Sequence, residues 1–398
     1  VTLLSPAVPA GVSRASLDAL LALGLDDADA RRAAFTRYEA LPAPAPPSHA
    51  WKHDLRKLDL AHITFGPPNV SSVSATPTPR IIITDFATAR REHAAHFAAA
   101  FTATLRDGDK YGQLARAFHS GGLFIDVPAG VAIDEPIDVS LAASGTDAFP
   151  YIVIHAGAGA RVTFIERAHG SGIVCGLTEI VAAERAQVTY TVLQEYADDA
   201  RTIMTRRAAI GADATVDWAF GELGAALCVE DVLSSEIGSG ASSEMTALFF
   251  ATGDQHVDLR TEVAHEVGST RSNTVVRSVA TDHGQARHFG NIRIAARAHG
   301  SDAALHDDTL LLSKTAHVDA IPALEIAAND VKAFHGATVG AVDEEHLFYI
   351  MSRGIDRRAA EQLVTLGFFE PAITRFPLDA TREHLRTVLA AKVTAEAS

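Results

Sequence analysis

A chain of 398 residues, 47% apolar and 21% charged, can bury a sizeable core unaided, as one large domain with appendages or as two to three domains. Its net charge of −15, from 34 basic and 49 acidic side chains, repels phosphate backbones and argues against a nucleic-acid partner. Two cysteines, Cys175 and Cys228, are too few and too far apart for a disulfide framework or a four-thiolate cluster; each reads as a small buried hydrophobe in a cytoplasmic protein.

The opening residues VTLLSPAVPAGVSRASLD lack the basic start and apolar run of a secretory signal, and nowhere do about 18 apolar residues follow one another as a membrane-spanning helix requires. Residues 13–41 read as helical, with Ser16 capping a segment that begins at Leu17 and places Leu17, Leu20 and Leu21 on one face. A second helical stretch, RRAAFTRYEAL, spaces Phe35, Tyr38 and Leu41 for burial. The proline-rich run 41–50 then reads as an extended linker, with Trp51 pinning it to a core. Residues 66–80 read as a further loop, and 85–105 as one longer amphipathic helix capped by Asp85.

From about 120 to 340 the texture changes. Short runs such as YIVIHA, RVTFIER, QVTYTVLQEY and NTVVRSVA alternate β-branched and aromatic residues with polar ones, the mark of strands. Turn marks at Ala160, Ala186, Ala214 and Ala241 are spaced 26, 28 and 27 residues apart, and later marks fall at about half that interval. A fixed period of this kind predicts stacked strands, either a β-helix or an antiparallel meander or sandwich. Nothing between the strands is long enough for βαβ crossovers. Helix returns near residue 342: Asp343 caps a segment with Glu344 and Glu345 in its first turn, Gly354 stops it, Asp356 caps RRAAEQLVTLGFF, and a third stretch covers 379–394. The chain thus divides into 1–118, 119–341 and 342–398.

Nucleotide and hydrolase motifs are missing. There is no GxxxxGK[ST], HExxH or GxSxG, and GAGARV (157–162) is followed by more strand where a dinucleotide site needs a helix N-terminus. REHAAH places His93 and His96 three apart on a helix, a spacing that serves a metal only with further ligands. The most distinctive segment is VKAFHGATVG (331–340), where His335 stands at the junction of strand core and helical tail between an apolar strand and two glycines. A neutral imidazole is a good borderline ligand for iron, and a second subunit can complete a partial site.

These motifs, in order, carry a resemblance. LLLS, then V-D-x-x-P-x-LEI, then D-V-K-x-x-HGATVG, then DEE-x-LFY-x-x-SRGI, together with FGNIRI (289–294), resemble the SufB/SufD family of iron–sulfur assembly scaffolds. The resemblance implies a mainly β fold, a right-handed parallel β-helix flanked by N- and C-terminal helices. It implies pairing with a SufB-like subunit, or with a second copy when isolated, and docking of a SufC-like ATPase on the C-terminal helices. It also implies a transient iron–sulfur cluster at the subunit interface with His335 as a ligand. Asp307 stands where SufB-like members carry a cysteine and Ala333 where many SufD-like ones do, which points to a SufD-type role.

The tail offers Leu347, Phe348, Tyr349, Arg353, Leu363 and Phe368 as a docking face, more apolar surface than two short helices can bury against each other. The chain itself is then a non-catalytic scaffold without a nucleotide site. Two competing readings are a carbohydrate-active β-helix enzyme using acids such as Glu166, Glu195 and Asp217, and a purely structural protein with no metal role.

Overall fold

A computed structural model describes residues 8–44, 55, 58–65, 70–74, 81–120, 122–144 and 147–395. Its centre is a parallel β-solenoid of about 7 turns, with consecutive strands alternating between two nine-stranded sheets. Within a sheet, neighbours run parallel and in register. Thr215–Glu222 lies between Gln187–Tyr196 and Ser242–Ala251, and on the other wall Leu227–Glu236 lies between Arg201–Ile210 and His256–His265. Ala160, Ala186, Ala214 and Ala241 are all fully buried, and each precedes a strand of the same sheet. The interval of 26 to 28 residues is therefore one full coil of two strands.

Stacking in register places equivalent side chains of successive coils on top of one another. Phe164, Tyr190, Trp218 and Met245 form one such column inside the lumen, with ring centroids 5.8 and 5.4 Å apart along the three aromatics. An antiparallel meander is not formed. Antiparallel pairing among the described strands occurs only at the N-terminal end, where Val70–Ser74 joins Ile137–Ser144 and Ile82–Thr84 joins Leu123–Val127. These two strands reverse the chain direction at that end of the stack.

Helices cover both outer faces. On one wall, Leu17, Phe35, Leu114 and Phe118 pack with Ile203 and Val229. On the other, Phe369, Ile373, Phe376, Leu385 and Leu389 pack with Leu193, Leu248 and Phe250. Each such side chain contributes about 1.5–3 kcal/mol by leaving water. The C-terminal helices are Glu344–Met351, Arg357–Ile373 and Asp379–Ala395; Asp343 accepts from the Glu345 N–H and Asp356 from the Ala359 N–H. The second helix continues through Pro371.

Four local expectations need correction. The first helix, Arg14–Ala22, is capped by Ser13, not Ser16; Ser16 occupies the third position and closes a capping box back to Ser13. Residues 66–80 are not all loop, because Val70–Ser74 is the capping strand. The stretch 85–105 is two helices, Phe86–Glu92 and Ala94–Ala100, broken at His93. A continuous helix would hold Phe86 and Phe97 about 16 Å apart, whereas folding back brings their rings to 5.1 Å in one core. A helix at Lys110–Phe118 was not anticipated; it packs its apolar face on the solenoid wall. Trp51 lies outside the described residues.

The lumen is not uniformly apolar. Arg206 bonds Glu166 through two nitrogens at 2.8 and 2.9 Å and Glu230 at 2.8 Å, all fully buried. Tyr190 donates to Glu166 at 2.6 Å, and the Cys228 thiol to Glu222 at 3.3 Å. Burial pushes Glu230 up to about 7 against the opposing pull of Arg206. Burial, then the charge of Glu230, drives Glu222 well above the ordinary carboxylate range.

Candidate functional site at the open end of the solenoid

The C-terminal end of the solenoid is built differently from the other. Its last strands, His317–Ile326 and Lys332–Ala341, terminate the two sheets, and no further described strand pairs with them. Ile326, Phe334 and Val339 are exposed there. Two unprotected edges beside exposed apolar side chains form a template for another chain.

His335 lies on the edge strand Lys332–Ala341, opposite Leu305. Register carries this position back through Leu305, Thr274, Met245 and Trp218, the lumen-facing column. Alternation therefore turns His335 inward and its neighbour Phe334 outward, where Phe334 packs on His306 at 4.9 Å. The His335 Nδ1 is shielded from solvent and has no hydrogen-bond partner among the described residues. A buried ring nitrogen left unpaired is costly.

One coil below, the lumen holds a polar chain that the sequence alone did not reveal. The Asp307 Oδ2 lies 2.9 Å from the His288 Nδ1, and the His288 Nε2 lies 2.9 Å from the Thr261 hydroxyl. The second carboxylate oxygen, Asp307 Oδ1, is buried without a partner among the described residues. Asp307 is opposite Ala337 on the edge strand, two positions beyond His335. The coil period could have placed His288, since it stands in register with Leu259 one turn earlier.

No thiol of this chain reaches that end. Cys228 sits in the lumen on Leu227–Glu236, three strands back in its sheet, which is about 14 Å. Cys175 packs beneath the N-terminal helices and donates to the Tyr111 carbonyl at 3.5 Å. Burial raises both thiols, keeping them protonated and poor ligands.

The six residues nominated on the helical tail separate by burial. Leu347 is 1% exposed, and Phe368 is partly buried with the Arg277 guanidinium over its ring. Phe348, Tyr349 and Leu363 are exposed by 73%, 58% and 52%. Arg353 is exposed and lies 4.5 Å over the Tyr349 ring. Of the acids weighed for sugar chemistry, two stand on different faces of the wall. Glu166 is locked in the lumen with Arg206, whereas Glu195 bonds His384 of the tail on the outside.

The family model described as "SUF system FeS cluster assembly, SufBD core domain" matches residues 139–368, more than half of the chain. The chain belongs to the SufBD family. Curated relatives include iron–sulfur cluster assembly SufBD family proteins of Staphylococcus saprophyticus and Staphylococcus epidermidis, each 29% identical over 316 residues, covering 77% of this chain and 68% of the relative. One of Staphylococcus aureus is 28% identical over the same shares. The SufBD core span includes His288, Asp307, His335 and the first C-terminal helix; the N-terminal helices lie outside it.

Proposed function

We propose that this chain is the SufD-type half of a SUF assembly complex and that His335 supplies one ligand to a nascent iron–sulfur cluster, its cargo, at the open end of the solenoid. The observation that carries the reading is the His335 Nδ1, lumen-facing, shielded and unpartnered on an edge strand. An imidazole held this way is a ligand awaiting a metal, and its edge strand is where a second chain would add. With Asp307 at the position where SufB-like members carry cysteine, and both native thiols buried elsewhere, the thiolates come from a SufB-like partner. Self-pairing would form a scaffold lacking them.

ATP hydrolysis falls to a SufC-like ATPase that docks on Phe348, Tyr349, Arg353 and Leu363. The chain is then a non-catalytic scaffold of the cytoplasm, with 119–341 as its pairing body and 342–398 as its docking tail.

The test is reconstitution with SufB- and SufC-type partners. His335→Ala is expected to assemble and melt like the wild type yet lose most cluster formation, read by visible absorbance and bound iron. Cluster formation at the wild-type rate would refute the ligand role. Co-purification from the host without either partner would refute the complex.

A further inference from the structure

We propose that His96, Asp126 and His155 form a binding site for a divalent transition-metal ion of the zinc class, on the outer wall of the solenoid's capped end. Asp126 and His155 are direct register partners on Leu123–Val127 and Tyr151–Ala156. Alternation sends Ile125 and Ile154 into the lumen and leaves Asp126 and His155 on the outside. His96 comes from Ala94–Ala100, and the preceding break at His93 folds that helix onto this wall. Its neighbour Phe97 fixes the helix, meeting Phe124 edge-on at 5.2 Å.

The geometry is that of a ligand set. The Asp126 carboxylate receives His155 Nδ1 on one oxygen at 2.6 Å and His96 Nδ1 on the other at 3.0 Å. One ligand atom from each residue lies within 4.8 Å of the others. An ion in such a set sits about 2.0–2.2 Å from each ligand atom. The charge argues the same way. The Asp126 side chain is 1% exposed, and a carboxylate so far from water calls for a compensating charge. A divalent ion supplies that compensation, provided each imidazole moves its proton from Nδ1 to Nε2. His96, with a side chain 54% exposed, leaves the site open to solvent, so a water or an exchanging ligand can complete the coordination. Two histidines and one carboxylate suit Zn²⁺ and Fe²⁺ better than the hard ions Mg²⁺ and Ca²⁺. His93, three residues from His96, is not a member of the set.

The test is titration of the intact purified chain with Zn²⁺ against a competing chelator, and with Co²⁺ followed by its d–d absorption. One ion per chain is expected at a site that His96→Gln and His155→Gln each weaken about tenfold or more, with loss of the Co²⁺ bands, whereas His93→Gln leaves it unchanged. His96 is exposed enough for its replacement to spare the fold, which a thermal melt checks. Wild-type affinity in His96→Gln, a matching loss in His93→Gln, or no stoichiometric binding by the wild type would each overturn the assignment.

Discussion

His288 and Asp307 reach from opposite walls of the lumen and meet at 2.9 Å, Nδ1 to Oδ2, one coil beneath His335. Both are buried, so water cannot replace either partner. Asp307→Ala should cost about 1–3 kcal/mol by leaving an imidazole N–H without an acceptor. Asp307→Asn keeps an acceptor and should cost less. Urea unfolding of the two variants measures the difference.

The triad of Glu166, Arg206 and Glu230 predicts a larger effect. Arg206→Met leaves two buried carboxylates without their cation, and about 3–5 kcal/mol of stability should disappear at neutral pH. The loss should be partly recovered when Glu166→Gln and Glu230→Gln are added. An additive series in denaturant melts would show that the three groups do not act as a unit.

Asp217 sets a pH dependence of known sign. Burial, then the neighbouring Glu244 charge, pushes its carboxyl up to about 6, and its Oδ1 has no partner among the described residues. The folded state therefore binds a proton more tightly than the unfolded one. Stability from this group is lost as pH rises from about 4 through 6. Asp217→Asn should flatten that slope and add on the order of 1 kcal/mol at pH 7.5, with no gain at pH 4. Melting temperatures across that range provide the check.

Adjacent residues on the first tail helix should behave oppositely. Leu347→Ala opens a cavity and should cost about 2–5 kcal/mol. Phe348→Ala removes an exposed ring and should leave the melt unchanged while weakening capture of a SufC-type ATPase. Circular-dichroism melts paired with a pull-down separate the two effects.

Much of the fold was legible because a solenoid writes its coil length into the chain. The buried alanines at 160, 186, 214 and 241 marked each turn, and the Asp343 and Asp356 caps marked the tail. Strand direction was not legible, since alternating apolar residues look the same in parallel and antiparallel sheets. The break at His93 was hidden because both halves are alanine-rich and favour helix locally. At the site, His335 stood out through its glycine-flanked motif. Asp307 stood out only through the resemblance, and Thr261 and His288 did not, because the three come from different strands that only the coil register brings together.

The two ends of the solenoid differ in the direction of their outermost strands. Antiparallel strands bound one end, whereas the end bearing His335 finishes on two parallel strands. The reversed strands mark where the repeat stops, while the parallel strands at the other end leave it able to continue with a strand of another chain.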